Sequence, residues 1–128
     1  MPLPRPRALV LASLLVIAAS GCATRVASTS SGAPEALQAG AEASFSGRIT
    51  AIDTQPWTYD GNAVVQIDTA THGPVAVQLP ARWNLCKAAP VDVESLRVGT
   101  RVDIAGSVTD DGAVVVCQRA THRLVPAR

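Results

Sequence analysis

The sequence predicts an all-β protein: a small five-stranded barrel with a short helical insertion, preceded by a signal peptide and a flexible tether. Three observations carry this. Residues 43–128 repeat apolar side chains at period two, the spacing that puts them on one face of a strand. Gly, Pro and Asp interrupt those repeats at turn positions. A separate apolar run, Ala8–Ala19, stands near the amino terminus outside any such pattern.

Five strands follow in order. In Ser44–Ile52, Phe45, Gly47, Ile49 and Ala51 share one face. In Ala63–Thr69, Val65 and Ile67 oppose Gln66 and Asp68. In Pro74–Leu79, Val75, Val77 and Leu79 alternate with Ala76 and Gln78. In Thr100–Val108, Val102, Ile104 and Val108 point inward, with Arg101, Asp103 and Ser107 outward. Ala113–Thr121, with an extension through Leu124, is the fifth, and its Val114-Val115-Val116 run suits a strand covered on both faces for part of its length. Thr71-His72-Gly73-Pro74 should close a hairpin between the second and third strands. Asp110-Asp111-Gly112 should close another between the fourth and fifth, because Asp-Gly supplies the positive φ that tight hairpins need. Pro80–Gly99 is longer, with helical turns expected at Ala81–Lys87 and at Asp92–Leu96, where Asp92 would cap.

Five strands with an insertion after the third resemble the layout of the OB-fold barrel, as does the stretch Leu96-Arg97-Val98-Gly99-Thr100-Arg101-Val102-Asp103-Ile104-Ala105-Gly106 leading into the fourth strand. Another small barrel, a sandwich or an α+β domain could carry the same pattern.

Residues 1–7 contain Arg5 and Arg7 and no acid. With the 12-residue run behind them they read as a secretory signal peptide, too short for the ~20 residues that cross a bilayer. Ala19-Ser20-Gly21-Cys22 resembles the lipobox of bacterial lipoproteins, with Ala19 where the family usually has leucine. The resemblance implies cleavage after residue 21, acylation of Cys22, and a membrane partner through that lipid anchor. Ala23 follows the cysteine, not the aspartate that retains many lipoproteins in the inner membrane, so the implied location is the periplasmic face of the outer membrane. An ordinary signal peptide with Cys22 left free is the alternative. Residues 22–42, rich in Ala, Ser, Thr and Gly, then form the tether, with a frayed helix over Pro34–Ala43 as the other reading. Residues 43–128 form the barrel domain.

With Cys22 acylated, Cys86 and Cys117 are an even pair in an exported domain, and a disulfide between them is expected. A redox or metal thiol pair is disfavoured by the absence of Cys-x-x-Cys. His72 and His122 lack metal spacing and read as surface residues, and neither a metal site nor a cofactor is expected.

One aromatic cluster remains. Gln55-Pro56-Trp57-Thr58-Tyr59-Asp60-Gly61 sits in the loop after the first strand. Trp57 and Tyr59 there, with Arg48 and also Arg82 and Arg101 on a neighbouring face, form a candidate binding surface. Alternatively Trp57 folds back to close one barrel end and Trp83 covers the other, since aromatic residues are only 3% of the chain.

The chain of 128 residues leaves no room for a two-domain enzyme. Ser44, Ser46, Ser95 and Ser107 stand in no recognisable nucleophile turn, so no enzymatic activity is expected. The formal charge of +1 becomes −1 once residues 1–21 take Arg5 and Arg7 with them, leaving nine basic against ten acidic side chains. Nucleic acid is therefore not an expected partner. The function that follows is a non-enzymatic binding or envelope-assembly module whose partner is an envelope protein, peptide or glycan. The alternatives are a small-ligand or cation sensor using Asp60, Asp110 and Asp111, and an envelope enzyme or enzyme accessory.

Overall fold

The computed structural model describes residues 33–81 and 85–128. Cys22, the apolar run, most of the tether, and Arg82 and Trp83 lie outside the described residues. Six strands follow in chain order: β1 (Glu42–Asp53), β2 (Ala63–Thr69), β3 (Gly73–Leu79), β4 (Arg101–Val108), β5 (Val114–Val115) and β6 (Arg123–Pro126). The first five close into an all-β, OB-like barrel, and β6 is added along β4.

Closure depends on the length of β1. Its first half pairs antiparallel with β4, from Glu42 opposite Ser107 to Arg48 opposite Arg101. Its second half pairs antiparallel with β2, ending with Asp53 opposite Val64. β2 and β3 form the expected hairpin. β5 then sits between β3, in parallel, and β4, antiparallel, which completes the ring.

To serve both neighbours β1 must bend, and two features of its sequence allow it. At Gly47 an added Cβ would lie 2.3 Å from Ile67 Cγ2 and 2.7 Å from the Asp68 carbonyl, so only glycine fits the crossing. Between Ile49 and Ala51 the register shifts, as at a β-bulge. The shift corrects the expected face: Ala51 is exposed, and Ile52 turns towards the core in its place.

The other alternations hold. Val65, Ile67, Val75, Val77, Leu79, Val102, Ile104 and Val108 are all buried. Each such side chain contributes about 1.5–3 kcal/mol when fully removed from water. The interior is thereby filled with side chains. The hairpin after β4 closes as expected, with Gly112 at φ 81° and its N–H donating to the Thr109 carbonyl at 3.0 Å.

Two local expectations are corrected. The fifth strand does not run to Leu124. It stops at Val115, because the Cys117 carbonyl accepts N–H bonds from Lys87 and Ala88, both at 2.9 Å, and a turn closed by the His122 N–H to the Arg119 carbonyl leads into a separate β6. The helical turn expected at Asp92–Leu96 forms as a 3-10 turn, Val93–Ser95, with Asp92 and Leu96 at its caps, but the Asp92 side chain makes no cap bond. β-branched Val91 and Val93 beside Pro90 leave little for an α-helix to propagate. The turn expected at Ala81–Lys87 falls partly outside the described residues, and Leu85 and Cys86 carry no helix.

Residues 33–41 form no helix either. They lie along the barrel as a strap. The Glu35 N–H donates to the Thr71 carbonyl and the Gly40 N–H to the Val108 carbonyl, each at 2.9 Å, while Leu37 packs against the core. The start of the strap therefore touches the turn before β3, ~20 Å along the strand from Leu79, while its end reaches Val108, whose partner Val114 also pairs with Val77.

Candidate functional site

At that far end β1 runs into a 3-10 turn, Gln55–Tyr59. Local chemistry builds it. The Asp53 carboxylate accepts the Gln55 N–H at 3.0 Å, proline stands in the first turn, and Asp60 closes it in the left-handed region at φ 64°. Asp tolerates that conformation better than most residues.

The turn sends its two aromatics opposite ways. Trp57 folds back: its indole Nε1–H donates to the Leu79 carbonyl at 2.8 Å, and the ring packs against the core. Tyr59 is 86% exposed. They do not share one aromatic platform. Arg48 is not with them. It lies where β1 crosses between β4 and β2, opposite Arg101 and Asp68, and its Nη1 donates to the Gly99 carbonyl at 2.6 Å. Asp53 is five strand residues further on, ~17 Å along β1.

Trp57 divides two surface cavities. One, about 510 Å³, is largely apolar, with Leu79, Pro80, Ala88, Pro90 and Val91 among its walls, and it reaches Cys86. The other, about 600 Å³, is lined by Thr54, Trp57 and Thr58 from the turn and by Val91, Asp92, Val93 and Glu94 from the segment before β4. Two carboxylates and two hydroxyls border the indole in this second groove. The 91–94 wall has no local signature in the sequence, because nothing there signals that Pro80–Gly99 folds back beside Trp57.

Cys86 and Cys117 are joined by a disulfide across 31 positions of chain, with Cα atoms 4.5 Å apart. It ties the irregular segment to the end of β5, beside the Lys87 and Ala88 bonds already described. Together these hold the wall of the first cavity in place.

His122, expected at the surface, is buried, with 1% of its side chain exposed. Its Nδ1 accepts the Cys117 N–H at 3.3 Å and its Nε2 meets Glu42 Oε2 at 2.6 Å. A backbone donor at Nδ1 assigns the proton to Nε2, which donates to the carboxylate. Glu42 also accepts Ser107 Oγ at 3.0 Å and lies 3.2 Å from Arg119 Nε. The His122 hydrogen bond is the largest of the influences that hold the Glu42 carboxyl below its ordinary pKa. A signal existed in the sequence: His122 has the parity of inward-facing Leu124. Ser107 bonds to the acid and not to the imidazole, so the group is no nucleophile and base pair. It fastens β1, β4 and the turn before β6 together.

His72 is also engaged. Its Nδ1 is 2.9 Å from the Glu35 carbonyl, and its ring stands edge-on to Phe45 at 5.4 Å, pinning the strap. Asp60 ends the Trp57 turn, while Asp110 and Asp111 belong to the β4–β5 hairpin, where Asp111 accepts from Thr109 Oγ1. Among the described residues no group of three or more His, Cys, Asp or Glu side chains is arranged to hold a metal ion.

No protein-family model matches the chain, and no curated protein matches it.

Proposed function

We propose that the chain is an outer-membrane lipoprotein, anchored through acylated Cys22, whose barrel is a non-enzymatic binding module facing the periplasm. What supports the binding role is the pair of surface grooves that Trp57 borders. Pro34, twelve residues after Cys22 in the chain, begins the strap, whose Glu35 bonds to Thr71 just before β3. The grooves open beside Leu79 at the finish of β3. The first residues of the strap and the grooves thus stand at opposite ends of β3. The disulfide suits an oxidising compartment, and a barrel filled by its own side chains directs binding to the outside.

A photocrosslinking residue in place of Tyr59, which is exposed and follows the groove-lining Thr58 in the chain, tests the binding role in intact cells. One discrete adduct is expected. Illumination that yields no adduct, or only a smear matching that from an exposed residue at the strap end such as Glu35, would count against it.

A further inference from the structure

The second groove has a charge character that narrows its occupant, and the inference rests on the binding role proposed above. Its charged lining residues, Asp92 and Glu94, are both acidic and exposed, and no ion pair engages either among the described residues. Of the basic residues flanking this segment, Arg97 donates to the Glu94 and Leu96 carbonyls, and neither it nor Lys87 lines the groove. Trp57, whose ring is held by the bond to Leu79, shares the groove with the carboxylates, as do Thr54 and Thr58.

We infer that this groove docks a basic segment of a protein partner, with a lysine or arginine side chain laid against the Trp57 indole and its charge received by Asp92 and Glu94. An indole attracts a cation within about 6 Å of its ring, and an arginine plane also stacks on it. Two carboxylates at the same opening supply the charge complementarity that selects a basic partner over an acidic one. The hydroxyls of Thr54 and Thr58 are neutral acceptors for the remaining guanidinium N–H groups. A fixed ring costs less entropy on binding than a mobile one, so the restraint at Nε1 favours docking.

The test uses the purified full chain with its disulfide intact and a tetra-arginine peptide as probe, followed by two-dimensional NMR. A tetraglutamate peptide and a neutral tetrasaccharide are the controls. Saturable shifts are expected at the Trp57 indole N–H and at the amides of Thr54, Thr58 and residues 91–94, with no such response to tetraglutamate. The double variant Asp92→Asn/Glu94→Gln should weaken the interaction about fivefold or more, and added salt should weaken it in the wild type. Both side chains are exposed and make no cap bond, so the fold should be retained; unchanged amide shifts elsewhere check this. Shifts as large around Asp110 and Asp111 would mean general attraction to acidic turns and overturn the inference. So would saturable binding of the tetrasaccharide at Trp57 that is indifferent to the double variant. If the groove ignores tetra-arginine while position 59 still gives a discrete adduct in cells, the binding role stands and the basic occupant falls.

Discussion

The buried His122 imidazole donates to Glu42 at 2.6 Å, joining the first residue of β1 to the turn that introduces β6 across 80 positions of chain. The same ring accepts the Cys117 N–H, so one side chain connects the end of the strap, the added strand and the disulfide. Replacing His122 by Phe keeps much of the volume but leaves the Cys117 N–H without its partner. A loss of about 1–3 kcal/mol is expected in urea unfolding, the cost of a buried donor left unsatisfied. A change within experimental error would show that the ring is only packing.

The pH dependence follows from Glu42. Its folded pKa is depressed, chiefly by the His122 hydrogen bond, so its contribution is fully present above the ordinary glutamate pKa and is lost as pH falls through the lower folded value. Asp111, held low by the Thr109 hydroxyl, acts in the same direction. Glu42→Gln and Asp111→Asn should each flatten the fall in melting temperature on acidification. An acid profile superimposable on that of the wild type would contradict the assignment.

For the disulfide, the chain-entropy model gives about 3–4 kcal/mol for a closed loop of this length. Cys86→Ser/Cys117→Ser should lose an amount of that order in denaturant unfolding. In the wild type, thiol labelling without reductant should leave both residues unmodified. Two labelled cysteines would remove the bond from the account.

Gly47→Ala tests the crossing of β1. The added methyl meets Ile67 Cγ2 and the Asp68 carbonyl at distances that require the backbone to move. A loss of about 1–3 kcal/mol is expected, in line with overpacked interiors. Retained stability would mean that β1 crosses β2 less closely.

The β2 and β3 alternations and both hairpin turns were legible in the sequence, because strand parity and turn chemistry are local properties. The even cysteine pair likewise pointed to its bond. The bulge after Ile49 was not legible: it answers to β1 having two partners on opposite edges, a demand set by closure of the ring. The break after Val115 escaped for a similar reason. Val114-Val115-Val116 reads as continuous strand until Cys117 is drawn to Cys86 and its carbonyl to the loop. Glu42 reads as tether in the sequence because it is an isolated acid beside an alanine-rich stretch, and only the fold sets it in β1 and brings His122 to it. At the candidate site, Trp57 and Tyr59 were found by residue type, but their opposite orientations depend on the Leu79 carbonyl, and the acidic wall comes from a segment some 35 positions away.

Everything proposed about where this domain works depends on Cys22. The direct measurement is cell fractionation of the wild type and Cys22→Ser, with the intact mass of the membrane-bound form. The account predicts a wild-type chain that begins at residue 22, carries added acyl mass and sediments with outer membranes, while Cys22→Ser appears in the soluble fraction. A wild-type chain with an unmodified Cys22, or a Cys22→Ser variant that stays in the membrane, would contradict it.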